Sequence, residues 1–248
     1  MKNQFSIRDK AILIGLYLSK FDEKALRELD FNGSREAFNV LGYGIGSKPA
    51  SIKNYRDEFD PYFPNPRMGW HKRPIRAYCK KFLDDFGALS FSEFSALVKD
   101  LLVQNYNVEQ FVKQLEKKDY SESIAKRLVT GSAAEEYFRS NYTSIDPFAQ
   151  YRLTDTTQMA CGFDFKLSLA SDFYCVEVKG LNALSGSISL TEKEFRVADE
   201  LKDRYCLFVV SNFIDKPAHQ LFFAPLSGNL AFKKVERKVI QTTYAATV

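Results

Sequence analysis

Histidine is almost missing from this chain: two in 248 residues, His71 and His219. That scarcity argues against a histidine-rich zinc site and against a histidine–metal nuclease. The four cysteines, Cys79, Cys161, Cys175 and Cys206, lack metal-ligand spacing, and two fall in predicted strands. They read as reduced thiols of a cytoplasmic protein. Long apolar runs are absent too. No signal-length segment opens the chain, and Ala11 to Leu18 is too short to span a bilayer, so no membrane partner is expected. Nor is there an internal repeat or a low-complexity tract. Neither sign of charge dominates: 35 Lys and Arg against 31 Asp and Glu give +4 and a pI near 8.7. Such mild basicity is compatible with nucleic acid without demanding it. At 45% apolar and 27% charged the chain is ordinary for a globular protein, and its length suits one or two domains with a sizeable core.

The chemistry concentrates between Gly162 and Gly180. Read with a period of two, Tyr174, Val176 and Val178 point to one face of a strand, and Cys175, Glu177 and Lys179 to the other. Asp164, on a neighbouring strand, could join Glu177 and Lys179 after a tight turn near Ala170-Ser-Asp172. Two carboxylates and an ammonium on one sheet face are costly to bury unpaired. They make sense if a metal ion sits between the acids and an anion approaches the lysine. Otherwise they are a surface Glu–Lys pair beside an unrelated aspartate.

This stretch resembles the PD-(D/E)xK nuclease superfamily, with Asp164 as the first acid, Glu177 as the second and Lys179 as the lysine. The proline of the motif's name is absent, since Phe163 precedes Asp164. The likeness continues through Leu190-Thr-Glu-Lys-Glu-Phe-Arg-Val-Ala198 and Tyr205-Cys-Leu-Phe-Val-Val-Ser-Asn212. It is similar above all to the "protein NO VEIN" C-terminal type of nuclease domain and covers roughly the second half of the chain. The resemblance implies a Mg²⁺ ion held by Asp164, Glu177 and the backbone carbonyl of Val178, with Lys179 facing the scissile phosphate. It also implies a helix carrying a glutamate that leans towards the metal. Gly131-Ser-Ala-Ala-Glu-Glu-Tyr-Phe138 resembles that helix, with Glu135 the better match and Glu136 its competitor.

The first half reads as helical. Helices are predicted over 7–21 behind a Ser6 cap, over 23–29, over 35–41 behind Ser34, and from Pro49 to Phe59. The last two, joined by the glycine-rich Gly42 to Gly46, suggest a helix-turn-helix. Ile52, Tyr55 and Phe59 would pack inward, and Ser51, Lys53, Asn54 and Arg56 would face DNA, with arginine suited to guanine and asparagine to adenine. The bland alternative is the solvated face of a bundle helix. The segment from Arg67 to Lys81 holds Arg67, Lys72, Arg73, Arg76, Lys80 and Lys81 and no acid. With Trp70 nearby, Arg67, Lys72, Arg73 and Arg76 could clamp phosphates; a basic loop in water fits equally. Further helices are predicted over 75–86, 90–102, 108–117 and 124–142. In the second half, strands are predicted over 164–169, 174–178, 188–190, 206–210, 220–224 and near Val239, with a helix from Thr191 to about Leu201.

The polar junction from Glu116 to Glu122 predicts a boundary, giving a helical DNA-binding domain at 1–118 and a nuclease domain at 119–248. The expected architecture is α+β or α/β: a helix-turn-helix-like helical part followed by a restriction-endonuclease-like mixed sheet flanked by helices. The expected function is Mg²⁺-dependent, sequence-specific cleavage of double-stranded DNA by a type II-like restriction endonuclease, acting as a homodimer on a palindromic site. The alternatives are a DNA-binding regulator whose nuclease-like half does not cut, and a repair or mobile-element nuclease.

Overall fold

The computed structural model describes residues 5–103, 121–228 and 230–235. The predicted helix over 108–117, the boundary at 118/119 and the strand near Val239 lie outside the described residues.

Helix α1 (Ile7–Glu28) starts on a reciprocal cap: Asp9 N–H donates to the Ser6 hydroxyl at 3.2 Å and Ser6 N–H to the Asp9 carboxylate at 3.1 Å. It is bent at Asp22 (φ 44°, ψ −124°), so the predicted stop after Phe21 and restart at Glu23 both occur within one element. Residues 11–18 are buried on every side, which makes α1 the central helix of a bundle rather than a surface helix with one apolar stripe. A Cβ at Gly15 would lie 2.5 Å from Tyr55 Cβ, so a side chain there would keep α1 from reaching the backbone around Tyr55. Helix α2 (Ser34–Gly44) is not capped by Ser34. Gly33 is the cap residue, and the Glu36 carboxylate accepts the Asn32 N–H at 2.9 Å. The helix also runs past Gly42, where the stop was expected. Helix α3 (Pro49–Phe59) keeps its proline in the first turn, as predicted. Two more helices, α4 (Ala77–Phe86) and α5 (Phe91–Val103), complete the described N-terminal bundle. Ser90 and Glu93 form the capping box expected before α5.

The second half is a mixed sheet in the order β1-β2-β3-β4-β5, with β1 Arg152–Asp155, β2 Phe165–Leu169, β3 Asp172–Gly180, β4 Tyr205–Ser211 and β5 Ala218–Phe223. Neighbours are antiparallel except β3 and β4, which run parallel. Parallel strands need a crossover, supplied here by α7 (Glu192–Leu201). Strand β1 was not predicted because it is an edge strand, exposed at all but one residue, with no apolar alternation to read. Residues 188–190, predicted as a strand, are irregular backbone leading into α7.

Helix α6 (Ser121–Asn141), unbroken at Gly131, covers one face of the sheet. Its Phe138 ring meets Phe165 and Phe208 with centroids 5.2 and 4.8 Å apart. The approach is close because a Cβ at Gly180 would stand 2.7 Å from the Thr130 carbonyl. Val176 and Val178 face this side. Cys175 faces the other, towards Ala198 of α7 and Tyr205, and strand alternation sends Glu177 and Lys179 the same way. The buried core is continuous from α1 to the sheet. Helix α2 bridges the halves: Tyr43 packs on Tyr137 at 5.6 Å, and the Asn39 amide donates to the carbonyls of Phe213 and Asp215 at 2.8 and 2.9 Å.

Candidate active site at the open end of the sheet

Strand β2 pairs with β3 only as far as Phe165 opposite Val176. Beyond that point Asp164 takes over the ladder. Its N–H donates to the Val176 carbonyl at 2.9 Å, and its carboxylate accepts the Val178 N–H at 2.8 Å. The N–H and C=O of one residue leave an extended strand on the same side, so the Val178 carbonyl is aimed into the same gap past the end of β2. Asp164, Val178 and the neighbouring Glu177 are therefore brought together by where two strands part company. Lys179 donates to Glu177 at 2.6 Å and also to Glu194 of α7 at 2.9 Å.

Glu194 was missed as a site residue. Its signal lay in Leu190-Thr-Glu-Lys-Glu194, a serviceable capping box: Glu194 N–H donates to the Thr191 hydroxyl at 3.2 Å, and Thr191 N–H to the Glu194 carboxylate at 2.9 Å. The cap accounts for a glutamate there, so nothing in the sequence demanded a second partner.

Glu177 is 3% exposed. Burial, then repulsion from Asp164 and Glu194, pushes its carboxyl well above the usual range, with Lys179 offsetting part of this. Burial raises Asp164 as well, while the Val178 N–H pulls the other way. Lys179 is depressed by burial but raised more by Glu177 and Glu194. On α6, burial and then Asp164 push Glu135 up to about 8. Glu136 is instead bound to Arg139 and to the Ser140 hydroxyl. Of the two candidate glutamates, Glu135 is the one that feels Asp164. Asp155, the last residue of β1, is held by Arg139 at 2.6 Å. Asp172 is bound by Tyr151 and Arg204 at the far end of β3.

The site thus carries a surplus of carboxylates (Glu135, Asp155, Asp164, Glu177 and Glu194) over Lys179 and Arg139. Among the described residues no three His, Cys, Asp or Glu side chains converge to hold an ion by themselves. Mg²⁺ does not require this, because it keeps several waters and is commonly bound through one or two carboxylates. The all-oxygen donor set of Asp164, Glu177 and the Val178 carbonyl fits that ion, and the surplus of acids gives it a charge to balance.

The surplus has a consequence for stability without any metal. The folded protein keeps a proton on Glu135 up to about 8, whereas its ordinary value is 4.5. Between those values the folded state binds more protons than the unfolded chain, so stability falls as pH rises through this window. Glu135→Gln should remove part of that loss, raising the unfolding free energy of chelator-treated protein at pH 8 by an amount on the order of 1–3 kcal/mol. At pH 5 the change should be small. Urea unfolding at the two pH values checks this.

Residues 133–223 match the family model described as Protein NO VEIN, C-terminal.

The match runs from α6 to the end of β5 and takes in Glu135, Asp164, Glu177, Lys179 and Glu194. It covers less than half of the chain. The matched family is nuclease-like. No curated protein and no solved structure matches the chain.

The candidate DNA-reading residues lie outside the matched segment, and the structure corrects several. Arg56 does not face out. It is 9% exposed, sits 4.7 Å over the Phe38 ring and donates to Asp57 at 2.8 Å. The reason is periodicity: Ile52, Arg56 and Phe59 fall at i, i+4 and i+7 on one stripe, and the acids around Arg56 make the inward position tolerable. Lys53 and Asn54 are exposed and Ser51 half-buried, with Lys53 paired to Asp57 at 2.6 Å. The stretch from Arg67 to Lys81 is not an uncompensated basic run either, because the fold brings acids to it. Arg67 is enclosed by Asp60 and Asp22. Glu58, 3% exposed, holds Arg73 at 3.4 Å and Arg76 at 2.6 Å. Lys80 pairs with Asp84 at 2.7 Å. Lys72 and Arg73 remain exposed, and Arg73 stacks 3.8 Å over the Trp70 ring. With Gly69, Trp70 and His71 they line an open pocket of about 350 Å³.

Proposed function

We propose that this protein is a Mg²⁺-dependent DNA endonuclease, with Asp164, Glu177 and the Val178 carbonyl holding the ion. The observation that carries the reading is Asp164 standing in for the end of β2, which puts its carboxylate on the Val178 N–H one residue from Glu177. The bound ion would supply Lewis acidity at the phosphate and an acidified water. Lys179, anchored at the same gap, offsets the charge that builds on the phosphorus centre. Glu135 adds a further oxygen ligand or proton acceptor beside Asp164. Phosphate is already anionic, so these acids would repel the substrate without a cation between them.

The N-terminal bundle with its exposed Lys53, Asn54, Lys72 and Arg73 is read as the part that binds duplex DNA, in the manner of a restriction enzyme that couples a reading half to a cutting half. A palindromic site would then call for two copies of the chain. Incubation with supercoiled plasmid and Mg²⁺ tests the reading: nicked or linear product, lost with chelator, supports it. A second reading is favoured by Lys179, whose ammonium is tied to Glu177 and Glu194. It holds that the chain binds DNA without cutting, and binding with no cleavage in the same assay would select it.

Burial of Arg56 and exposure of Lys72 and Arg73 determine what mutations of the reading half should do. Lys72→Ala and Arg73→Ala should weaken binding to all sequences alike, each lowering the slope of log affinity against log salt by roughly one. Asn54→Ala should cost about 1–3 kcal/mol on a preferred site and much less on random DNA. Arg56→Ala should act on stability instead, because Asp57 loses its buried cation and keeps only exposed Lys53. Binding isotherms at several salt concentrations, beside unfolding curves, separate the three behaviours.

A further inference from the structure

We propose that Glu194 is the positioning residue for Lys179, holding its ammonium at the site when Glu177 is engaged by a cation. The inference rests on the reading of this site as a metal-dependent nuclease. Lys179 has two carboxylate partners, Glu177 at 2.6 Å and Glu194 at 2.9 Å, and they are not equivalent. Glu177 shares the strand with Lys179 and belongs to the donor set around Asp164. A cation there competes with the ammonium for the Glu177 lone pairs. Lysine is a strongly hydrated point charge on a flexible four-carbon stem, so with a single, shared partner it would swing into solvent.

Glu194 comes from a different element and is fixed independently, because its Oε2 also accepts the Thr191 N–H at 2.9 Å within the capping box. The location of Lys179 needs such an anchor for a second reason. Its ammonium lies beside the first turn of α7, the positive end of a helix dipole, where a cation is disfavoured. The helix itself would push Lys179 away, and the Glu194 carboxylate reverses that. One side chain thus closes the end of α7 and ties the crossover helix to the centre of the sheet.

Two substitutions separate the cap from the charge. Glu194→Gln keeps a residue that can complete a capping box but removes the negative charge facing Lys179. Thr191→Ala weakens the cap and keeps the carboxylate. Each full-length protein is treated with limiting acetic anhydride, and acylation of Lys179 is read by mass spectrometry against exposed Lys216 in the same chain. Single-turnover plasmid cleavage with Mg²⁺ is measured alongside. The expected result is several-fold faster acylation of Lys179 in Glu194→Gln but not in Thr191→Ala. Cleavage by Glu194→Gln should fall roughly 10-fold in rate at saturating DNA, with the half-saturating DNA concentration unchanged. An unchanged Lys179/Lys216 ratio in Glu194→Gln overturns the proposal, as does an equal rise in Thr191→Ala. If the wild-type protein cuts and Glu194→Gln cuts as fast, the positioning role is likewise overturned. If the wild-type protein does not cut at all, the nuclease reading fails by itself, and the acylation ratio alone decides whether Glu194 places Lys179.

Discussion

Asp164→Ala and Glu177→Ala proteins are expected to lose Mg²⁺-dependent cleavage while retaining affinity for DNA. On the proposed reading each removes a ligand from the two-carboxylate set, and a bound metal supplies several kcal/mol of transition-state stabilisation. At about 1.36 kcal/mol per decade that corresponds to roughly 10³-fold or more in rate. Retained binding follows because the ion and not the duplex loses its partners, and removing an acid also lessens repulsion of phosphate. Asp164 has a structural duty as well, since it accepts the Val178 N–H. Asp164→Asn is therefore the cleaner companion: its amide oxygen still accepts that bond, but its negative charge is gone. Both Asp164 variants should be equally inactive in plasmid assays. Full activity of Asp164→Asn would overturn the assignment and turn attention to Asp155, which stands beside Arg139 and within the field felt by Glu135.

Lys179→Ala is expected to lower the single-turnover rate by on the order of 10²-fold, the cost of removing one charge-stabilising donor from a transition state. The strand should survive the change, because its inward residues Val176 and Val178 pack against α6 on the other face. The same substitution takes the cation away from Glu177 and Glu194, so the metal-free protein should lose stability at neutral pH even though its core is intact. Single-turnover kinetics with saturating Mg²⁺ and DNA, paired with unfolding curves in chelator, report the two effects separately. An unchanged rate accompanied by lost stability would make Lys179 a structural counter-charge and favour the non-cutting reading.

That Glu177 and Lys179 share one face of β3 was readable from Tyr174 to Gly180, because alternation along one strand needs no knowledge of its neighbours. Local period and hydrogen bonds spanning three residues likewise determined the caps at Ser6, Ser90 and Thr191, and an unbroken apolar run determined the buried strand β4. These features are written within a few residues of one another, so the sequence by itself carries them. What only the tertiary structure decided are pairings between residues far apart in the chain. By its charge Arg56 reads as a surface residue, yet the stripe it shares with Ile52 and Phe59 and the acids gathered around it put it inside. The run of bases from Arg67 to Lys81 is acid-free in sequence and acid-paired in space, through Asp22, Glu58, Asp60 and Asp84. Glu194 could be seen as a cap but not as a partner of Lys179, fifteen residues earlier. A charge in isolation favours water, and whether it can be buried depends on which opposite charge the fold delivers to it.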